Sequence, residues 1–328
     1  MDPTRIVALA GGVGGSRFAR GLRAAAPDAE LTVVVNTGDD VTLHGLRISP
    51  DVDTVLYALS GAVDEKRGWG PRGDTFQCMQ ALERLGGETW FRLGDLDLAT
   101  HLRRTELLEA GWPASRVTAE LAERLGIQNV RVLPMTDEPV ETWVQLRDDG
   151  LWVHFQEYFV HLRTDVAIRA VEVRCIDTAK PAPGVLDAIE SAELIVFCPS
   201  NPFVSVGPIL QVRGVREAIL SARARGALAA GISPMIGGAT VKGPAARMLT
   251  ELGHEANAAG VARIYQGLLD VWLIDRIDAE ALSVRIAAYG MRPLVADALM
   301  RNRRGEARLA RALLKACFTG RRHADRPA

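Results

Sequence analysis

Residues 5–18 read RIVALAGGVGGSRF, and the way this stretch changes character decides the fold. Arg5 to Ala10 is a short apolar run of strand length, and it stops at Gly11-Gly12-Val13-Gly14-Gly15. From Ser16 to Ala26 the side chains of Phe18, Leu22 and several alanines recur on one face of a helix. Pro27-Asp28 closes that helix, and Leu31 to Val35 (LTVVV) is a β-branched run suited to a buried parallel strand. Strand, glycine turn, helix and strand in this order open a doubly wound, mostly parallel, Rossmann-like α/β sheet. Glycines let backbone N–H groups come close to a phosphate, and the helix that follows offers its positive N-terminus. The competing reading is a tight turn that serves packing alone.

Working outward, Asp53 to about Leu125 shows mostly helical patterns, including Thr75 to Leu85 and Leu98 to Ala110. Glycine-rich breaks at Gly68-Trp69-Gly70-Pro71 and Gly86-Gly87 separate them. Val130 to Pro134 and Glu141 to Leu146 read as strands, and Asp148-Asp149-Gly150 is a hairpin turn leading into Leu151 to Phe155. Sheet character returns at Leu194 to Cys198 after a helix near Pro183 to Ser191, and again at Ala227 to Ile232 after the helix Val215 to Arg225. A further strand is expected at Val271 to Ile274, and a helix at Pro293 to Met300. The expected organisation is one domain over residues 1–318 with a largely helical insertion at about 60–170. A frayed polar tail follows at 319–328.

Composition narrows the function classes. The chain has 328 residues, 48% hydrophobic and 24% charged, an ordinary globular balance. A formal charge of −1 supplies no basic field for nucleic acid or anionic membrane. No stretch approaches the roughly 20 apolar residues of a membrane span, and no basic, then apolar, leader precedes the first strand. A cytoplasmic protein is expected. Cys78, Cys175, Cys198 and Cys317 lack the short spacing of zinc or redox motifs and read as small core residues.

The glycine turn departs from the common nucleotide fingerprints. With Gly12 and Gly14 as the first two glycines of a dinucleotide motif, Arg17 stands where the third belongs. Asn36 occupies the end of the second strand, where an acidic residue would hold a ribose. A Walker lysine is missing as well, since Ser16-Arg17 stands in its place. Just beyond lie four carboxylates, Asp39, Asp40, Asp51 and Asp53, in GDDVTLHGLRISPDVDT. Asp39 and Asp51 together suit Mg²⁺, which takes one or two carboxylates plus phosphate oxygens. Asp53 alone reads better as a helix cap. The turns Ser200-Asn201-Pro202 and Ser233-Pro234 fall on the expected ligand edge, though any α/β protein has such turns. Trp69, set among glycines, either stacks on a planar ligand or is buried beneath the insertion. His101 either contacts a phosphate or caps a helix.

Taken together, these residues resemble the 2-phospho-L-lactate transferases of coenzyme F(420) biosynthesis. The resemblance is carried by GGVGGSRF (11–18), NTGDD (36–40), HGLRISPDVDT (44–54), RGWGPRGDTF (67–76) and LGDLDLATHL (93–102). HFQEYFV (154–160), PSNPFVSVGPIL (199–210), SPMIGG (233–238) and GLLDVWLID (267–275) continue it in order. It implies a transferase that joins a phosphorylated three-carbon acid to the ribityl hydroxyl of the deazaflavin Fo. The acid arrives as its guanosine diphosphate conjugate and GMP leaves. The resemblance leaves 2-phospho-L-lactate, phosphoenolpyruvate and 3-phosphoglycerate open as donors. It implies Asp39 and Asp51 as catalytic Mg²⁺ ligands, and Gly12, Gly14, Gly15, Asn36, Ser200, Asn201, Pro202, Ser233 and Pro234 on the nucleotide and phosphate side. Trp69, Gly70, Thr75 and His101 fall on the deazaflavin side, and a homodimer is expected. The rival in a different class is a non-catalytic nucleotide-sugar-binding regulatory protein of the same superfamily, which needs no Fo pocket. A dehydrogenase is disfavoured by Arg17 and Asn36.

Overall fold

The computed structural model describes residues 4–319, so nearly all of the expected tail lies outside the described residues. Seven strands form the central sheet. In chain order they are β1 (Arg5–Ala10), β2 (Glu30–Val35), β3 (Val130–Pro134), β4 (Leu194–Phe197), β5 (Leu228–Ile232), β6 (Val271–Asp275) and β7 (Arg292–Ala296). Their spatial order is β7-β6-β5-β4-β1-β2-β3, and every pairing is parallel. The chain therefore builds one half of the sheet outward from β1 through β3, then returns to β1's other side and builds through β7. That reversal makes β1/β4 the switch point, beyond whose carboxyl ends open sheets of this kind bind ligands.

The strands read as continuous apolar runs because both faces of the sheet are covered. Period-two alternation divides β1 between two cores: Val7 and Leu9 pack on one side, Ile6, Ala8 and Ala10 on the other. The second core is closed by α1 (Gly12–Ala25), α2 (Pro50–Ser60) and the C-terminal helix Arg303–Phe318 through Phe18, Leu22, Val55, Leu309 and Leu313. The first is closed by Val185, Ile189, Ile209, Val215 and Ile219 from the helices between β3 and β5.

Two excursions leave the sheet. Between β2 and β3 lie α2 and the helices Gln77–Arg84, Asp95–Glu109 and Ala114–Arg124. Between β3 and β4 an antiparallel three-stranded sheet is built from Glu141–Leu146, Trp152–His154 and Ile168–Arg174. The expected Asp148-Asp149-Gly150 hairpin is present, with Trp143 opposite His154 and Gly150 at φ 74°. The range 60–170 thus contains β3, an edge strand of the main sheet, between its two excursions.

Two expectations fail. Pro293 to Met300 is not a helix: Arg292–Ala296 is strand β7. Pro293 lacks an N–H, which resembles a helix start in sequence, but an edge strand bonded only to β6 tolerates it equally well. Of the cysteines, Cys198 and Cys317 are buried, but Cys78 and Cys175 are exposed. No described helix is long and apolar enough to cross a membrane.

Candidate active site at the switch point

The loops after β1, β2, β4, β5 and β7 open into one cleft of about 720 Å³, within the usual range of roughly 300–1,000 Å³ for small-molecule sites. Of the residues expected at a site, Gly12, Gly14, Asp39, Asp51, Trp69, Gly70, His101, Ser200, Asn201, Ser233 and Pro234 line it. Gly15, Asn36, Thr75 and Pro202 do not.

Helix α1 begins within the glycine turn, at Gly12 rather than Ser16, with Gly11 extended before it. The glycines are required by close approach. A Cβ on Gly14 would lie inside van der Waals contact with the Pro199 carbonyl oxygen, and one on Gly15 would sit 2.5 Å from Ser200 Oγ. These contacts bring the start of α1 against the loop after β4. Gly15 therefore acts behind the cleft, as a packing contact. The first N–H groups of a helix have no acceptor inside it. That of Gly12 is already taken, donating to Asp51 Oδ1 at 2.7 Å. Gly12 thus holds a carboxylate and is not free for a phosphate, whereas Val13 and Gly14 face the cleft with no intrahelical acceptor.

Asp51 sits in the first turn of α2, directly after Pro50, and is buried. Its Oδ2 accepts from Asn36 Nδ2 at 2.9 Å. Asn36, fully buried, also donates to the Val204 carbonyl at 3.0 Å and accepts from Gly38 N at 2.9 Å. Asn36 is therefore a support behind the carboxylates, away from the cleft wall. Asp39 is buried as well, with Oδ2 accepting from Gln156 Nε2 at 3.4 Å and Oδ1 without a partner. Burial, then the neighbouring Asp51 charge, hold Asp39 well above the ordinary carboxylate range. Burial pushes Asp51 up to about 6, opposed by the hydrogen bonds from Asn36 and Gly12. Two buried carboxylates with an unpartnered oxygen between rigid supports fit a divalent cation with oxygen ligands. Asp40 turns the other way, accepting from Ser49 Oγ at 2.8 Å, and burial raises it to about 7.

The reading of Asp53 as a helix cap is wrong. Its carboxylate pairs with the buried Arg104 guanidinium and lies 3.6 Å from His101 Nδ1. His101 is no cap either: it lies inside the helix Asp95–Glu109, 99% buried, with Nε2 3.3 Å from Asp97 Oδ2. Tyr57 donates to Asp97 Oδ1 at 2.7 Å. Ligand atoms of Asp53, Asp97 and His101 lie within 4.8 Å of one another. Arg104 already brings a positive charge to that group, with Nη1 2.9 Å from Asp53 Oδ2 and 3.3 Å from His101 Nδ1. A second cation there would face the guanidinium.

Trp69 is half-buried at the cleft, edge-on to Phe76 at 6.4 Å, with the Arg67 guanidinium 5.3 Å from its ring. Thr75 points elsewhere and bonds Asp95 in the first turn of the helix Asp95–Glu109. Sequence reasoning assigned no role to Gln156, Phe155 or Phe159. The latter two rings stack at 5.7 Å and 3° and line the cleft with Trp90. They lie on or beside the π-helix Glu157–His161, a local form frequent at functional sites. The signal available was their place in HFQEYFV, one of the segments carrying the family resemblance.

The sheet order defines a doubly wound α/β protein whose switch-point cleft carries a glycine-turn helix start and a buried acidic pair. The particular family follows from comparison: residues 6–313 match the model of 2-phospho-L-lactate transferase CofD, and the chain belongs to that family of transferases. It is 50% identical to a phosphoenolpyruvate transferase of Streptomyces griseus, covering 95% of this chain and 98% of the relative. A phosphoenolpyruvate transferase of Streptomyces coelicolor is 49% identical over 94% of this chain and 97% of its own length. A crystal structure of a UPF0052 family member from Bacillus halodurans shares the fold, with a TM-score of 0.65 at 19% identity, covering 96% of this chain and 99% of that one.

Proposed function

We propose that the chain joins a phosphorylated three-carbon acid to the terminal ribityl hydroxyl of the deazaflavin Fo, in coenzyme F(420) biosynthesis. The acid is delivered as its guanosine diphosphate conjugate, and GMP is released. The names of the relatives at 50% and 49% identity favour phosphoenolpyruvate as that acid. The observation that carries the reading is the buried Asp39–Asp51 pair, tied through Gly12 N–H to the start of α1.

Asp39 and Asp51 would hold Mg²⁺, which supplies charge neutralisation to the diphosphate. Asn36, Gly12 and Gln156 fix the two carboxylates in place. The free N–H groups at the start of α1 receive phosphate oxygens, in line with the helix dipole. The turns at Ser200-Asn201 and Ser233-Pro234 would face the guanosine. Trp69 and Gly70, with the Phe155–Phe159 wall, would face the deazaflavin on the side built from residues 60–170. The Fo hydroxyl oxygen bonds to the acid-bearing phosphorus, and the bond from that phosphorus to the bridging oxygen breaks. The electron pair stays with GMP and the hydroxyl proton passes to solvent. Phosphoryl transfer of this kind needs positioning and charge stabilisation above all. The same reading makes the enzyme a cytoplasmic homodimer.

Mass spectrometry of products from Fo, Mg²⁺ and each guanosine-diphosphate-linked acid tests this. The phosphoenolpyruvate adduct of Fo and free GMP are expected. Tight binding of a nucleotide sugar with no uptake of Fo would defeat it.

A further inference from the structure

The cleft is lined by carboxylates from the chain after β2, among them Asp39 and Asp51, and by cations that include Arg17 on α1 and Lys242 beyond β5. Lys242 follows the hairpin of Met235–Ile236 and Ala239–Thr240 after β5 and lines the cleft mouth. Its ammonium donates to the Arg67 carbonyl at 2.6 Å. A Cβ on Gly68 would lie 3.0 Å from Lys242 Nζ and 3.2 Å from Val13 Cγ1, so Lys242 and the first turn of α1 converge on Gly68. One helical turn beyond Val13 is Arg17, also on the cleft. Arg17 donates to the Met300 carbonyl at 3.2 Å and stands 3.7 Å from Glu306. Among the described residues Lys242 has no carboxylate within ion-pair distance. Burial, then the Arg17 charge, lower the Lys242 pKa. Of these positive groups Arg17 has Glu306 beside it and the Gly12 N–H has Asp51, whereas the Lys242 ammonium has only a neutral carbonyl.

We propose that Lys242, assisted by Arg17, binds the nucleotide phosphate that leaves with GMP and stabilises the charge it gains. The proposal rests on the transfer reading given above. A diphosphate laid across the start of α1 would put its acid-bearing phosphorus toward Asp39 and Asp51, and its nucleotide phosphate toward Lys242. When the bond to the bridging oxygen breaks, that oxygen takes the electron pair and the nucleotide phosphate gains a unit of negative charge. A fixed ammonium beside it stabilises the transition state more than the ground state. Lys242 would then bear on the rate as well as on nucleotide affinity.

The test uses Lys242→Gln and Lys242→Met in the full chain. Glutamine removes the charge and retains an N–H donor, one bond shorter in reach; methionine removes both charge and donor. Binding of GDP, inorganic pyrophosphate and guanosine is measured by calorimetry at two salt concentrations, alongside turnover. In both variants GDP and pyrophosphate are expected to bind about 10-fold more weakly, as for loss of one charged hydrogen bond. Their salt dependence should be shallower and guanosine binding unchanged. Turnover should fall on the order of 100-fold. If Lys242→Gln binds GDP and turns over like the wild type, the ammonium only props the Arg67 segment and the proposal is overturned. It is equally overturned if the wild type binds neither GDP nor pyrophosphate. If the wild type makes no Fo adduct while the charge-dependent loss of GDP binding persists, the transfer reading fails and the phosphate site stands.

Discussion

Replacing Asn36 by leucine removes the support behind Asp51 with little change in volume, and the structure sets both the size and the pH dependence of the loss. Asn36 is fully buried and makes three bonds, to the Asp51 carboxylate, the Val204 carbonyl and the Gly38 N–H. Leaving a buried neutral group unsatisfied costs about 1–3 kcal/mol, and a hydrogen bond to a charged group contributes about 1.5–3 kcal/mol. The bonds share one side chain and are not additive, so a total of about 3–5 kcal/mol is expected at pH 8. The sign with pH follows from Asp51, which burial raises to about 6 while Asn36 pulls it down. Without Asn36 the folded-state pKa rises further, so ionising Asp51 costs more above that value and nothing below it. The charged share of the loss is therefore present at pH 8 and disappears at pH 4.5, where Asp51 is protonated in the fold. Urea denaturation of both proteins in EDTA at these two pH values measures it. A loss below about 1 kcal/mol, or one of equal size at both pH values, would refute the view that Asn36 acts through the charge on Asp51.

Other perturbations probe neighbouring parts of the site. Metal-free protein should lose stability as pH rises through about 6 to 7, because burial raises the folded pKa values of Asp51 to about 6 and Asp40 to about 7 from 3.8. Millimolar Mg²⁺ should restore the melting temperature at pH 8 and change it little at pH 5; a rise of equal size at both would count against an acidic-pair site. Asp39→Asn and Asp51→Asn should each abolish turnover at moderate Mg²⁺ and leave the circular dichroism spectrum unchanged, whereas full activity in both would end the metal assignment. Gly14→Ala forces a methyl into the Pro199 carbonyl and should lower stability by about 1–3 kcal/mol, with GDP binding weakened in the same titrations. Arg104→Met leaves buried Asp53 without its partner and should cost about 3–5 kcal/mol. The double variant with Asp53→Leu should recover most of that in urea melts.

Much of the architecture was legible because local rules and tertiary demands agree. RIVALA and LTVVV are strands in isolation and in the sheet, since a parallel strand covered on both faces must be apolar throughout. The resemblance carried by the ordered segments is borne out by the family match over residues 6–313. β7 was misread because Pro293 suits a helix start and an edge strand alike, and only its partner β6 decides between them. Asp53 was misread for a related reason. An acidic residue near a helix start is a capping signal, and nothing local announces Arg104, 51 residues away.

Residue type and order were enough, by themselves, to make this chain a doubly wound α/β protein with glycines and aspartates at the ends of its first two strands. They could not say which groups meet. Tertiary structure alone gave the Gly12 N–H to Asp51, set Asn36 behind the carboxylates, and moved Thr75 away from the cleft. It alone brought Lys242, from beyond β5, against the Arg67–Gly68 segment, which also meets Val13 of the turn after β1. The physical reason is range. Strand and helix preferences act between neighbours a few residues apart, whereas buried charge, orphaned donors and paired carboxylates depend on groups that only the sheet order brings together.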